Sequence, residues 1–333
     1  MARRALTDTC LRLVQRVEAV VGSAVAATGA TTCRVGLSGG ADSLALTAAM
    51  AWAVHHRAGP LNGIGLSAVI VDHQLQPGSA EVATRAQAQA ISLGVAAEVV
   101  TVTVADGRDG VEAAARQARY AALDTDDSLI LLGHTQDDQA ETVLLGLARG
   151  SGVRSLAGMA ERRGRIVRPF LTVRRIDTEQ ACRDWNLTWW DDPTNQDGRF
   201  ARSRLRQAMG TLEVALGPGL AQSLARTADL CRADADLLDT MTDAIGLTPT
   251  SSDLPVDQLS EHPAPIRQRF LLAWLRTVGG DEVTRAHVGA VDALITDWHG
   301  QRSISVPKAQ VTRRFGRLFL DVRAPDHVER DEN

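Results

Sequence analysis

Two short stretches concentrate residue types that can do chemistry together. Ser38-Gly39-Gly40-Ala41-Asp42-Ser43 puts two glycines, two hydroxyls and one carboxylate into six positions. Glycines let a backbone turn several N–H groups towards one point, and a helix starting directly afterwards adds partial positive charge. Such a turn can hold a nucleotide's pyrophosphate without a lysine. Asp42 has no place in a purely anion-binding loop unless it meets a divalent cation or moves a proton. The second stretch, His134-Thr135-Gln136-Asp137-Asp138-Gln139-Ala140-Glu141-Thr142, gathers a histidine and three acids. On a helix Asp138 and Glu141, three apart, face the same way. Acids also suit a helix N-terminus, and capping accounts for Asp137. It does not account for three acids and a histidine together. Asp42, Asp138, Glu141 and His134 are therefore the catalytic candidates, and Asp42 the candidate metal ligand.

Weaker signals surround these two. Glu112 and Arg116 form an i,i+4 pair, with Arg119 and Tyr120 following; surface pairing would explain the spacing equally well. Asp191-Asp192-Pro193-Thr194-Asn195 reads by itself as a turn and helix cap. Arg199, Arg202, Arg204 and Arg206 follow it, and Arg202 and Arg206 are one helical turn apart. Eight arginines lie between Arg149 and Arg175 against one acid, Glu161. The net charge of −4 speaks against a nucleic-acid partner, but this local excess speaks for one. Trp189 and Trp190 could stack on bases, although core filling explains them more simply.

These residues need elements to position them. The first half alternates strand and helix. Helical spacing covers Leu6 to Ala27, Ala41 to His56, Ser79 to Leu93, Val111 to Leu123 and Asp137 to Arg149. Strand-like runs cover Thr32 to Leu37, Ile64 to Val71, Ala96 to Val104 and Ser128 to Leu132. A βαβ series of this kind implies an α/β fold with a Rossmann-like parallel sheet. Both chemical stretches follow strands and open helices, at the carboxyl edge where such sheets bind ligands. Beyond about Arg199 the pattern becomes helical, with short strands only at Ser303 to Val306 and Leu318 to Val322 around a turn at Gly316. The expected division is a catalytic domain over 1–212 and a smaller, mainly helical domain over 213–333.

Composition removes several alternatives. No run approaches the ~20 apolar residues a membrane helix needs. Met1-Ala2-Arg3-Arg4 is not followed by an apolar signal segment. Cys10, Cys33, Cys182 and Cys231 include no CxxC pair, which argues against structural zinc or a redox centre and suits a reduced, cytoplasmic protein. Lys308 is the single lysine, so a Walker-type loop is impossible.

The motifs resemble a known family. Ser38 to Ser43 resembles the PP-loop of the N-type ATP pyrophosphatases, and Val71-Asp72-His73-Gln74-Leu75 the element after their second strand. His134 to Thr142, Arg149-Gly150-Ser151-Gly152, Gly158-Met159, Arg168-Pro169-Phe170-Leu171 and Asp192 to Arg206 are similar to tRNA(Ile)-lysidine synthetases. A weaker similarity runs from Thr284-Arg285-Ala286-His287-Val288 to the final strands. The resemblance implies an ATP- and Mg²⁺-dependent ligase that joins free L-lysine to the wobble cytidine of a CAU-anticodon isoleucine tRNA. It implies ATP binding by Ser38, Gly39, Gly40, Ala41, Asp42 and Ser43, and tRNA or substrate contacts from Arg116, Arg119, Asn195, Arg202 and Arg206. Asp42, Asp138 and Glu141 share the metal, base and lysine-holding roles in an order that the sequence leaves open. A tRNA thiolase would need CxxC pairs. A small-molecule amidating enzyme would not need the arginine-rich middle, and a nucleotide sensor would not need the acids.

Overall fold

In the computed structural model the residues described are 6–55, 59–74, 76–103, 111–150, 152–192, 198 and 201–322. Asn195 and Arg199 lie outside them, as does the side chain of Glu112. The chain divides into two compact units, Met1–Cys231 and Arg232–Asn333.

The first unit opens with α1 (Asp8–Thr28), whose apolar positions recur every three or four residues and bury Leu13, Val14, Val17, Val20, Val21 and Ala24. The Thr7 hydroxyl accepts from Cys10 N at 3.3 Å at its start, and Gly29 ends it in the left-handed region at φ +68°. Then come β1 (Thr32–Gly36), α2 (Ala41–His55), β2 (Gly65–Asp72), α3 (Ser79–Ser92), β3 (Ala96–Thr101), α4 (Val111–Leu123), β4 (Leu129–Leu132) and α5 (Gln136–Ala148). The short α6 (Val153–Leu156) leads to a tight hairpin of β5 (Arg162–Arg163) and β6 (Ile166–Val167). Helix α7 (Arg175–Asp184) and, after the undescribed stretch, α8 (Ala201–Leu216) complete the frame.

The sheet order is β3-β2-β1-β4-β6-β5, parallel throughout except for β5 against β6. The chain builds outward from β1 through β2 to β3 and then crosses back to β4 on the other side of β1. That reversal opens a crevice beyond the carboxyl ends of β1 and β4. Helix α2 is buried almost all round, and its run of alanines lets neighbours approach closely. Cys182 of α7 donates its thiol to Ala41 O at 3.3 Å. Gly133, directly after β4, abuts the start of α2. A Cβ there would stand 2.9 Å from the Asp42 carbonyl carbon and oxygen.

In the second unit, α9 (Leu220–Asp243), in which the division falls, is followed by β7 (Asp253–Pro255), α10 (Val256–Ser260), α11 (Ala264–Gly279), α12 (Arg285–Thr296), β8 (Ile304–Val306), β9 (Ala309–Arg314) and β10 (Arg317–Val322). The strands form an antiparallel sheet ordered β7-β10-β9-β8. The two short end strands expected from sequence are thus part of a four-stranded sheet. Strand β9 escaped notice because Thr312-Arg313-Arg314 interrupts its apolar alternation. Trp274 is fully buried in this core and donates from Nε1 to Ser251 O at 2.7 Å.

Gly133→Ala forces backbone apart where β4 meets α2, an overpacking that costs about 1–3 kcal/mol. Gly210→Ala, inside α8 with nothing within 4 Å of the new Cβ, gains about 0.5–1 kcal/mol instead. Urea unfolding of the two variants is expected to give opposite signs; destabilisation by both would contradict this account.

Candidate active site

The Ser38-to-Ser43 turn is preorganised by its own side chains. Ser43 Oγ accepts from Ser38 N at 3.1 Å and donates to Gly40 O at 3.0 Å. Gly39 takes φ +83°, and its carbonyl accepts from Trp190 N at 2.9 Å. Trp189 packs against the main core and lies beneath the Arg183 guanidinium at 5.3 Å. Its larger part is therefore structural.

Asp42 and Asp138 start adjacent helices, α2 and α5, and one guanidinium joins them. Arg175 donates from Nε to Asp42 Oδ2 at 3.0 Å and from Nη2 to Asp138 Oδ1 at 2.8 Å. Thr178, one turn along α7, donates its hydroxyl to Asp42 Oδ1. Arg206 of α8 reaches the same cluster. It binds Glu141 through Nε at 2.8 Å and Nη2 at 3.2 Å, with Asp138 Oδ1 at 3.5 Å. Asp138 and Glu141 thus share one face of α5 and one partner. Arg206, which the spacing sets one turn from Arg202, is held against the almost fully buried Glu141 carboxylate. Arg202 itself is exposed and lines a groove of about 210 Å³ with Thr142, Arg149 and Ser155.

The capping assignment is also corrected. Asp138 Oδ2 accepts from Thr135 N at 2.8 Å and Thr135 Oγ1 at 2.9 Å, so Asp138 caps α5. Asp137 turns away and accepts from Arg175 N at 2.8 Å, at the first residue of α7. One acid at each helix start orders the junction between α5 and α7, and with it the Arg175 side chain. Gln139 adds a further clamp by donating to Met159 O at 2.9 Å and accepting from Met159 N at 2.8 Å.

The electrostatics separate the two acids. Burial pushes Asp42 up to about 6; Arg175 opposes this and Asp138 adds to it. Burial also opposes ionisation of Asp138, but Arg175, His134, the Thr135 N–H and Arg206 together hold it below the usual carboxylate range. Burial, aided by Arg168, Arg119 and Arg116 and opposed by Asp138, pushes His134 down to about 3. It therefore stands neutral as a hydrogen-bonding group. Its Nδ1 is buried without a partner, as are His73 Nδ1, Arg119 Nε and Arg168 Nε. Tyr120 lies among the cations: the Arg116 and Arg119 guanidiniums are 5.2 and 5.7 Å from its ring centre, and Arg116 donates to its hydroxyl at 3.2 Å. Unpartnered buried nitrogens in a cluster of cations suit a ligand rich in carbonyl or phosphate oxygens.

Arg175 and Thr178 were not singled out from sequence. Helix α7 is strongly polar, with Ile176, Ala181 and Cys182 as its few apolar positions, so its periodicity is faint. Arg175 is lost among neighbouring arginines.

Phosphate turn, acid cluster and switch-point crevice together define an α/β nucleotide-binding protein of the PP-loop class. The PP-loop domain model matches residues 12–213, and a model described as the TilS substrate binding domain matches residues 254–319. The tRNA(Ile)-lysidine synthase of Mycolicibacterium paratuberculosis is 51% identical across 82% of this chain and 83% of its own length. That of Rhodococcus erythropolis is 48% identical across 86% and 88%. The chain belongs to the tRNA(Ile)-lysidine synthase family. Among solved structures, the U34-tRNA thiolase NcsA from Methanococcus maripaludis with its 4Fe-4S cluster shares the fold. Its TM-score is 0.54 at 17% identity, over 67% of this chain and 80% of that one.

Asp42 titrates above its unfolded value, so its ionisation costs stability as pH rises through about 6. Removing Arg175 moves both Asp42 and Asp138 upward. Arg175→Ala is therefore expected to lose more unfolding free energy at pH 8 than at pH 5, with Arg175→Lys intermediate. Equal losses at both pH values would show that Arg175 does not govern these carboxylates.

Proposed function

We propose that this protein is a tRNA(Ile)-lysidine synthetase that uses ATP to activate the wobble cytidine of a CAU-anticodon tRNA(Ile) and then joins L-lysine to it. The observation carrying this reading is the convergence, at one sheet edge, of a phosphate turn, a three-carboxylate cluster and a cationic recess. A thiolase is not favoured, because the cysteines form no CxxC pair. Cys10, Cys33 and Cys182 are buried, and burial pushes the Cys33 and Cys182 thiols up to about 12.

The chemistry follows from the substrates. Cytosine's C2 carbonyl is a poor electrophile. Attack of its O2 on the α-phosphorus of ATP expels pyrophosphate and converts that oxygen into a good leaving group. The lysine ε-amine then attacks C2, and AMP departs with the oxygen. The turn from Ser38 to Ser43 would hold the phosphates through its N–H groups and hydroxyls. The recess of His73, Arg116, Arg119, His134 and Arg168 would take the base, with its unsatisfied nitrogens turned to base and phosphate oxygens.

The acids divide the remaining work. Among the described residues no group of three metal-ligating side chains occurs. Asp42, with Asp138 tied to it through Arg175, would hold the protein's side of a Mg²⁺ ion brought by the phosphates. When bound, the ion supplies charge neutralisation for the leaving pyrophosphate. Free lysine's ammonium, with a pKa near ~10.4, must lose a proton before attack. Asp138 and Glu141 would receive it as a cation in exchange for Arg206, and one of the site's carboxylates would take up the proton it loses before attack. Arg175 would keep Asp42 and Asp138 in place while the ligands exchange. Residues 1–212 are assigned to this chemistry and 213–333 to tRNA binding. The described residues include no helix long and apolar enough to cross a membrane, which accords with a cytoplasmic enzyme acting on tRNA.

The test is pyrophosphate release with ATP and L-lysine, with and without unmodified CAU-anticodon tRNA(Ile). Release is expected only with the tRNA, with lysine entering the RNA in equal amount. Asp42→Asn is expected to abolish release while ATP still binds within about tenfold, a ratio worth ~1.4 kcal/mol. Release independent of tRNA would overturn the substrate assignment, and near-normal release by Asp42→Asn would overturn the role of Asp42.

A further inference from the structure

The hairpin joining β9 to β10 turns through two residues, Phe315 and Gly316, with Arg314 and Arg317 closing the ladder as a cross-strand pair. Both turn residues have left-handed backbone, φ +52° and +70°. A hairpin turn of this kind favours Asn-Gly or Asp-Gly, because a side chain at positive φ meets its own backbone. Phenylalanine is a poor choice for that position, and its ring gains nothing from the fold in return. Phe315 is 93% exposed, the most exposed of the large apolar side chains described.

The surroundings are rich in guanidinium. Arg313, Arg314 and Arg317 flank the ring along the hairpin. Arg302 lies two residues before Ile304, the first residue of β8 paired with β9. Some of this charge is already committed. Arg317 pairs with Asp253, and Arg314 reaches Asp321 at 3.6 Å while lying 4.5 Å over the Phe319 ring. Arg313 donates to Leu294 O at 2.7 Å and covers Trp298 at 5.2 Å. It therefore serves α12 more than a ligand. Arg302 has no acidic partner among the described residues. What remains is a bare aromatic face at a hairpin tip, next to Arg314 in its exposed pair with Asp321, and an exposed Arg302. Proteins bind unpaired nucleotides in this way, stacking the base on an aromatic ring while cations track the phosphates.

We infer that Phe315 is a stacking platform for an unpaired base of the tRNA, with Arg314 and Arg302 placed for the adjoining phosphates. This rests on the proposed function. It adds a specific contact in the region matched by the TilS substrate binding domain model, residues 254–319, and none of the motifs read from sequence includes this residue. A protein docking on the same ring is the competing occupant, and it would leave RNA binding indifferent to position 315.

Two substitutions in the full-length chain separate a base contact from a structural role. Phe315→Asn suits the turn better than the native residue but removes the ring; Phe315→Trp keeps a stacking face. Affinity for unmodified CAU-anticodon tRNA(Ile) is measured by fluorescence anisotropy across a salt series, alongside the thermal midpoint. Phe315→Asn is expected to melt no lower than the native protein yet bind the tRNA about tenfold more weakly. Its salt slope is expected to stay unchanged, since no phosphate contact is lost. Phe315→Trp is expected to bind within about twofold of the native chain, a factor well below the usual worth of a stacked base. Native affinity in Phe315→Asn, or equal weakness in both variants, overturns the inference while leaving the proposed function standing. Failure of the native protein to bind this tRNA removes the proposed function, and the inference with it.

Discussion

Three carboxylates from the opening turns of two helices cannot share a largely buried cluster without cations between them. At an effective dielectric of 20, two like charges 4 Å apart repel by about 4 kcal/mol. Arg175, bridging Asp42 and Asp138, and Arg206, bridging Glu141 and Asp138, turn that repulsion into attraction. The arrangement of the first unit follows from this requirement. Helix α7 must lie close enough to α2 for Arg175 and Thr178 to reach Asp42, and the small side chains of α2 permit it. Helix α8 must return across α5 for Arg206 to reach Glu141. Both helices are thus electrostatic components of a site whose phosphate turn and acids lie elsewhere in the chain.

The same cations make the site responsive. A guanidinium that neutralises carboxylates before ligands arrive can be displaced by other positive charge, whether a metal on the phosphates or a substrate ammonium. On the proposed function, the ion pairs are a resting arrangement that ligand binding would replace without leaving acids unpaired. The recess around Tyr120 has the opposite character. Four of its buried nitrogens, on His73, Arg119, His134 and Arg168, have no partner among the described residues, so it gains most from a ligand bearing acceptors.

Much of this was legible from the sequence. The strand–helix alternation, the turn at Ser38 to Ser43 and the pairing of Asp138 with Glu141 on one helical face all rest on local rules of spacing. What was hidden depends on contacts distant in sequence. Asp137 and Asp138 are chemically identical neighbours, and only the position of α7 decides that the first caps α7 while the second caps α5. Arg206 reads as a surface cation until Glu141, 65 residues earlier, is seen beneath it. Helix α7 is nearly silent because it packs through small residues such as Ala181 and Cys182. Strand β9 is silent because its arginines serve a helix end, two aromatic rings and an acid on β10.

The composition of the site also bears on chemical selectivity. Every strong cation around the acids and the recess is an arginine, and the chain's one lysine, Lys308, stands in the turn between β8 and β9. A guanidinium stays protonated at any working pH and does not act as a nucleophile. An electrophile held among such groups meets positive charge without meeting an amine from them. The guanidiniums can thus surround an electrophile with positive charge without themselves attacking it, and the amine that reacts is left to be delivered as substrate.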